Sequence, residues 1–138
     1  MQWEAGGQAG FTTGTPWIGV NENCEEINVR ESLADPDSVF SYYQKLIELR
    51  KRCNVISEGN YEPVPLKQEG IFAYQRSWKK EKLLVYANFT GKHQEIEGRE
   101  DLDNWEILLS NDCAPKINGK KFVLAPFGAV MLHSCEEA

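Results

Sequence analysis

The stretch DPDSVFSYYQKLIELRKR, residues 35–52, decides how the rest of the chain is organised. Asp35 suits the N-cap of a helix, Pro36 suits the first helical position, and Asp37 adds negative charge where the helix dipole favours it. The apolar positions that follow recur at helical spacing: Val39, Phe40, Tyr43, Leu46 and Ile47. The stretch therefore predicts one long helix that starts at Pro36, and no other segment predicts a helix of that length.

The segment before the helix has no regular period. Residues 1–23 hold five glycines among bulky apolar residues, and such a composition is typical of a long loop held against something large. Residues 27–29 predict a short extended piece, and residues 30–33 predict a helical turn. Nothing else in the chain is large enough to cover the loop.

The segment after the helix consists of short runs rich in aromatic and β-branched residues. Residues 71–78 and 82–89 predict a hairpin that turns at residues 79–81, and Pro63 and Pro65 place residues 60–64 at a sheet edge. Further strands are predicted at residues 92–96, 105–110, 121–124 and 129–133. Short strands with frequent turns favour a mainly β fold, an antiparallel β-sandwich that follows the loop and the long helix.

The overall charge and the hydropathy exclude several function classes. A net charge of -6 argues against nucleic-acid binding, which needs a basic surface. No apolar run approaches the roughly 20 residues that cross a bilayer, and the first residues lack the pattern of a secretion signal. We expect a soluble, cytoplasmic protein with no nucleic-acid or membrane partner.

The four cysteines, Cys24, Cys53, Cys113 and Cys135, are widely spaced and form no CxxC pair. A zinc site is not expected, because the cysteines are far apart and the chain has only two histidines. Free thiols are the expected state, with two disulfides as the alternative. No metal or cofactor is predicted.

Local motifs supply no catalytic site. The carboxylates cluster as near neighbours on polar segments, whereas paired acid-base catalysis needs two carboxyl groups that face each other across a cleft. No nucleophile elbow and no glycine-rich phosphate loop is present. The remaining candidates are Trp3, Phe11 and Trp17, which either stack on sugar rings or anchor the loop to a neighbouring domain.

Several short motifs, read together, are similar to one family. The chain resembles the C-terminal part of bacterial oligo-1,6-glucosidases and trehalose-6-phosphate hydrolases, in the α-amylase superfamily of glycoside hydrolases. Glu4 stands where that family more often has Asp. The motifs that carry the resemblance are Met1-Gln2-Trp3, Gly10-Phe11-Thr12, Pro16-Trp17-Ile18, Ile27-Asn28-Val29 and the helical stretch from Asp35 to Lys51.

The resemblance implies an identity for each part of the chain. Residues 1–56 would be the end of a catalytic (β/α)8 barrel, the loop after strand eight plus the final helix, and residues 57–138 the β-sandwich that follows. In such barrels the loops after the strands build the active site. Gln2 and Trp3 match a motif near the rim of the substrate pocket, so they are the predicted substrate-proximal residues.

The resemblance also implies what the chain lacks. Family members are retaining enzymes with an aspartate nucleophile, a glutamate acid/base and a second aspartate, and all three precede the motif that matches residues 1–3. No catalytic residue is therefore predicted here. We expect a fragment of a longer α-glucosidase, inactive alone, whose partner is the missing barrel and whose parent acts on an oligosaccharide.

Alternatives stay open at this point for the parent and for the sandwich. The parent could instead be a trehalose-6-phosphate hydrolase or a sucrose isomerase. The sandwich could be a carbohydrate-binding or an oligomer-forming module, and an exposed row of aromatic side chains on one sheet face would favour binding. Without a barrel, the apolar loop and helix are also expected to drive the fragment into a homo-oligomer.

Overall fold

The computed structural model describes residues 1–111 and 114–135, which divide into two compact units, residues 1–46 and 47–138. Cys113 and the last three residues of the predicted sandwich lie outside the described residues. Cys24 and Cys53 are free thiols. No helix within the described ranges has both the length and the apolar composition that crossing a membrane requires.

The first unit contains more helical turns than the glycine-rich sequence suggests. Two 3-10 helices, Gly7–Gly10 and Glu22–Glu25, precede helix α1, Val29–Ala34. Gln8 and Ala9 have positive φ values of 56° and 50°, and the side chain of Ala9 is fully buried. The helical turn predicted at residues 30–33 is confirmed by α1, whereas no strand forms at residues 27–29.

Helix α2, Val39–Arg52, is the long helix that the sequence predicts. It begins three residues later than expected, and the N-cap predicted at Asp35 is wrong. Ser38 Oγ instead accepts a hydrogen bond of 3.1 Å from Ser41 N. Asp35 is occupied elsewhere, because its Oδ1 accepts from Asp37 N at 2.8 Å and its N–H donates to Glu31 O at the end of α1.

The second unit is an antiparallel β-sandwich, which confirms the predicted fold class. Five strands form one sheet in the order β1-β2-β3-β7-β5, and β4 pairs with β6 in a second sheet. The predicted hairpin and the predicted edge strand are both present. Helix α3 is Asn54–Ser57, and the strands are β1 Asn60–Pro63, β2 Ile71–Trp78, β3 Glu81–Asn88, β4 Gln94–Glu97, β5 Glu106–Ser110, β6 Lys121–Leu124 and β7 Ala129–Cys135.

The core lies between the two sheets. Leu84, Tyr86, Val130 and Leu132 of the larger sheet pack with Ile96, Phe122 and Leu124 of the smaller one. The rings of Tyr86 and Phe122 meet edge to face with centroids 5.1 Å apart, a favoured geometry for aromatic pairs. Because side chains alternate along a strand, the residues between these core positions point to the opposite face of the larger sheet.

Helix α3 packs against strands β2 and β3. Val55 and Leu83 are fully buried, and Arg76 of β2 donates from Nε to Val55 O and from Nη2 to Gly59 O. The short helix therefore covers part of the face that points away from the core. The proposed division into a barrel end, residues 1–56, and a sandwich, residues 57–138, stays a prediction.

Candidate functional site

The two predicted site residues, Gln2 and Trp3, are neighbours on an irregular segment. Its main chain is bound to α1, since Val29 N donates to Gln2 O at 2.9 Å and Arg30 N donates to Trp3 O at 3.0 Å. Trp3 N also donates to Ala9 O at 2.9 Å. Three main-chain hydrogen bonds therefore hold the segment, and an ion pair between Glu4 and Arg30 adds a side-chain contact.

Two open cavities border this segment. One, of about 440 Å³, is lined mainly by apolar groups that include Trp3, Ile27 and Phe40. The other, of about 500 Å³, is lined by residues that include Phe11 and Trp17. The side chain of Trp17 is 94% exposed and that of Trp3 is 48% exposed. All three aromatic residues singled out from the sequence thus border open apolar clefts.

The second candidate surface is the face of the five-stranded sheet that points away from the core, here called the outer face. One row of side chains crosses it over all five strands. Cross-strand pairing joins Pro63 to Tyr74, Tyr74 to Val85, Val85 to Met131 and Met131 to Leu109. Every member of this row is partly or largely exposed to solvent, which is unusual for a continuous apolar row.

Aromatic side chains extend the row near the edge strand. The ring centroids of Tyr61 and Tyr74 lie 5.4 Å apart, and those of Phe72 and Tyr74 lie 5.8 Å apart. Tyr61 is 53% exposed and Phe72 is 47% exposed. Burial raises the pKa of the Tyr74 phenol, so this hydroxyl is neutral at physiological pH. The outer face therefore presents apolar surface together with the neutral hydroxyl group of Tyr74.

The described residues do not form an acid-base site. Their buried polar side chains are Asn28 and Asn88, and no carboxylate is buried. No group of three or more His, Cys, Asp or Glu side chains within the described ranges is placed to hold a metal ion. On the larger sheet, His133 Nε2 lies 3.2 Å from Glu81 Oε2. The described residues therefore offer surfaces for contact with another molecule.

Three residues have structural roles that were not predicted from the sequence. Asn28 caps α1, because its Oδ1 accepts from Glu31 N at 2.9 Å, and the pattern Asn28-x-x-Glu31 is a known signature of a helix start. Asn88 donates from Nδ2 to the carbonyl oxygens of Lys92 and Ala125, both at 2.7 Å. The role of Asn88, like that of Arg76, has no local sequence signal.

Two family models match separate parts of the chain. Residues 1–59 match the model of the α-amylase catalytic domain, and residues 71–131 match that of the C-terminal domain of the α-amylase SusG. Among curated proteins, the oligo-1,6-glucosidase of Bacillus cereus is 48% identical over 133 residues, which are 95% of this chain and 24% of the relative. The trehalose-6-phosphate hydrolase of Escherichia coli K12 is 40% identical over 130 residues, which are 94% of this chain and 24% of the relative.

Solved structures give the same result. The crystal structure of a trehalose-6-phosphate hydrolase from Bacillus licheniformis superimposes with a TM-score of 0.88 at 40% identity, over 98% of this chain and 25% of that one. A mutant isomaltulose synthase of Erwinia rhapontici NX5, in complex with sucrose, gives a TM-score of 0.85 at 32% identity, over 96% of this chain and 24% of that one. The chain spans about a quarter of the length of the curated relatives it matches.

Proposed function

Since the chain belongs to the α-amylase superfamily of glycoside hydrolases, we propose that its parent protein is an α-glucosidase of the oligo-1,6-glucosidase type. The parent would cleave terminal α-1,6 or related glucosidic bonds of an oligosaccharide with retention of configuration, through a glycosyl-enzyme intermediate. One observation carries this proposal. Residues 1–59 match a catalytic-domain model and residues 71–131 match the model of a C-terminal domain. An oligo-1,6-glucosidase matches 95% of the chain.

In this proposal the chain itself is the structural end of the enzyme and has no activity alone. A retaining glycosidase needs two carboxyl groups about 5–5.5 Å apart, one of them held in an environment that keeps it protonated. The absence of any buried carboxylate among residues 1–111 and 114–135 supports this assignment. Gln2 and Trp3 would lie at the rim of a pocket whose catalytic groups come from the rest of the parent.

The outer face is then the surface that docks on the catalytic barrel. Five apolar residues in line across the sheet, extended by Tyr61 and Phe72, are suited to a contact with a large protein surface. The relatives are about four times longer than this chain, so the parent offers a partner of sufficient size.

A second candidate function is carbohydrate binding by the outer face. It is favoured by the pairs that Tyr74 forms with Tyr61 and Phe72, because aromatic rings at this spacing can stack on successive sugar rings. A third use of the same face is association of the chain with a second copy of itself. These uses compete for one surface, so binding measurements separate them.

The proposed function is tested by assaying the full-length protein that carries this chain on isomaltose, trehalose 6-phosphate and sucrose. The oligo-1,6-glucosidase assignment predicts cleavage of isomaltose to glucose as the preferred reaction. The retaining mechanism predicts that p-nitrophenyl α-D-glucoside releases α-glucose first, which proton NMR detects. Preferred cleavage of trehalose 6-phosphate would assign the parent to that hydrolase instead. Conversion of sucrose to an isomer without net hydrolysis would assign it to the isomerases. Initial release of β-glucose from p-nitrophenyl α-D-glucoside would contradict the retaining mechanism.

The carbohydrate-binding alternative is tested on the 138-residue chain by calorimetric titration with isomaltotriose and maltotriose. Docking on a barrel predicts no saturable heat. Saturable binding that is lost in Tyr61→Ala and Phe72→Ala, and retained in Val123→Ala on the smaller sheet, would establish a sugar-binding face.

A further inference from the structure

The turn between β6 and β7 holds a phenylalanine in a conformation that favours glycine. Gly128 N donates to Ala125 O at 3.0 Å, and the two residues between them are Pro126 and Phe127. Phe127 has a φ of 56°. A central proline followed by a positive φ is the pattern of a type II turn, whose second central position is normally glycine or asparagine. A bulky residue such as Phe127 rarely adopts this left-handed backbone.

Hydrogen bonds from two neighbouring segments impose the conformation of the turn. Phe127 N donates to Thr90 O at 3.0 Å, and Asn111 Nδ2 donates to Phe127 O at 2.9 Å. Asn88, which is 3% exposed, donates from Nδ2 to Ala125 O at 2.7 Å. A disfavoured backbone conformation persists where the surrounding structure determines it, and such residues are enriched at binding sites. The turn therefore presents the Phe127 side chain from a fixed main chain.

The ring of Phe127 gains little from contacts within the chain. Phe127 is 66% exposed. Its ring lies beside Gly91, where a Cβ atom would be 3.8 Å from ring carbons Cε2 and Cζ. The left-handed backbone and the exposed ring both disfavour the folded chain, and Phe127→Gly would remove both. This combination indicates that the ring has a partner outside the described residues.

The polar groups around the turn favour a protein pocket over a sugar as that partner. A sugar site combines an aromatic face with polar side chains that are free to bind hydroxyl groups. Here both N–H groups of the Asn88 amide bind carbonyl oxygens, and its Oδ1 accepts from Thr90 N and Thr90 Oγ1. Thr90 Oγ1 also accepts from Gln94 Nε2 at 3.2 Å, and Asn111 Oδ1 accepts from Ala129 N at 2.6 Å. These polar side chains already bind groups of the chain itself.

The position of the turn indicates where the pocket lies. Ala129 pairs with Ala87, and Ala87 pairs with Phe72, in the row of the outer face that is next to the row of Val85. Phe127 precedes Ala129 by two residues and so lies at the end of that row. The chain covers 24% of the oligo-1,6-glucosidase relative, so most of the longer protein lies outside the match and is large enough to hold the pocket.

We propose that Phe127 anchors the β-sandwich to the part of the catalytic domain that lies outside this chain, by inserting its ring into an apolar pocket there. The inference rests on the proposed function, since it takes the chain as the end of a longer enzyme, and it adds a specific contact to the docking of the outer face. Single aromatic side chains in desolvated pockets carry much of the energy of such interfaces. Because the turn is already fixed, docking costs little conformational entropy.

Photocrosslinking in the full-length protein identifies the partner directly. Phe127→p-benzoylphenylalanine keeps an aromatic ring at the position, and the same replacement of Val123, which is 45% exposed on the smaller sheet, is the matched control. Mass spectrometry of the digested protein should show a crosslink from position 127 to a segment outside residues 1–138, and none from position 123 to that segment. A crosslinked dimer, a crosslink only within residues 1–138, or no crosslink from position 127 would overturn the inference.

The stability of Phe127→Gly in two contexts gives a second test. In the 138-residue chain the change should raise the urea midpoint, because it removes the strained backbone and the exposed ring. In the full-length protein it should lower the thermal midpoint, because the ring leaves an empty apolar pocket. Lys79→Gly, at another position with a positive φ, of 53°, is the control and should act with the same sign in both proteins. The same sign for Phe127→Gly in both would contradict docking.

A titration checks the competing ligand. Saturable heat when isomaltotriose is added to the 138-residue chain, lost in Phe127→Gly, would assign the ring to a sugar and overturn the inference. None of these measurements uses activity. A full-length protein that is inactive on every α-glucoside but crosslinks from position 127 would refute the proposed function alone. An active enzyme without that crosslink would refute this inference alone.

Discussion

Arg76 Nε donates a hydrogen bond of 3.1 Å to the carbonyl oxygen of Val55. The contact joins the middle of strand β2 to helix α3, whose last carbonyl groups have no partner within so short a helix. Its Nη2 also donates to Gly59 O at 2.6 Å. A Cβ atom at Gly59 would lie 2.4 Å from Val55 O, so the turn that presents these carbonyls to Arg76 requires glycine.

This contact gives the first prediction. Arg76→Met removes two charge-assisted hydrogen bonds and leaves partly buried carbonyl oxygens without a donor, which should lower the free energy of unfolding by about 2–3 kcal/mol. Urea denaturation of the 138-residue chain measures the change. Arg52→Met, which breaks only the exposed pair with Glu48, is the control and should cost less than about 0.5 kcal/mol. Equal losses in the two variants would show that Arg76 has no special role.

The second prediction concerns Asn88, which is 3% exposed and donates to two carbonyl oxygens on different turns. Asn88→Ala should cost about 1–3 kcal/mol, because each carbonyl loses one of its donors and Thr90 N, which donates to Asn88 Oδ1 at 2.9 Å, loses its acceptor. Thermal unfolding followed by circular dichroism checks this, with the exposed Asn104→Ala as control.

The third prediction follows from the pKa of Tyr86. Burial, and next the carboxylate of Glu100, raise this pKa above its ordinary value of 10.0. Below pH 10 the phenol is neutral in both the folded and the unfolded chain, so it has no effect on stability there. Above pH 10 the unfolded chain ionises first, and stability falls as the pH rises towards the folded-state pKa. Tyr86→Phe should therefore lose less stability than the wild type between pH 9 and pH 11.5 in urea titrations. If the stability of the two proteins falls in parallel as the pH rises, the prediction is contradicted.

The fourth prediction concerns the outer face. Exposed apolar surface of this extent is expected to make the isolated chain self-associate. Light scattering on the 138-residue chain should give a mass above that of a monomer at high concentration. Tyr61→Thr with Phe72→Thr, a pair that keeps strand propensity, should shift the distribution towards monomer. Val123→Thr on the smaller sheet should not, although Val123 is also exposed. A strict monomer in the wild type would count against the outer face as an interface.

Regular patterns in the sequence predicted most of the fold. The hairpin of β2 and β3 followed from two runs of strand-forming residues joined by Lys79-Lys80, and the edge position of β1 followed from Pro63. The long helix was predicted as well. Its start was not, because Asp35 and Ser38 both suit an N-cap and Asp35 is already used in contacts with Asp37 N and Glu31 O. Helix α3 was missed because four residues are too few to show a helical period.

The candidate surfaces were harder to predict. Strand β3 is apolar on both faces, so alternation does not reveal that Val85 belongs to an exposed row while Leu84 lies in the core. The hydrogen bonds from the Gln2 amide to Asn23 and Ile27 were also beyond local patterns, because these partners follow 21 and 25 residues later. The assignment of Gln2 and Trp3 to a substrate pocket came from the family resemblance alone.

The most direct test of the account compares the hydrolysis of p-nitrophenyl α-D-glucoside by the full-length protein and by the 138-residue chain. We expect turnover by the full-length protein and none by the chain, because in the proposed parent every catalytic carboxyl group lies outside these residues. Turnover by the purified chain, or no turnover by the full-length protein on any α-glucoside, would contradict it.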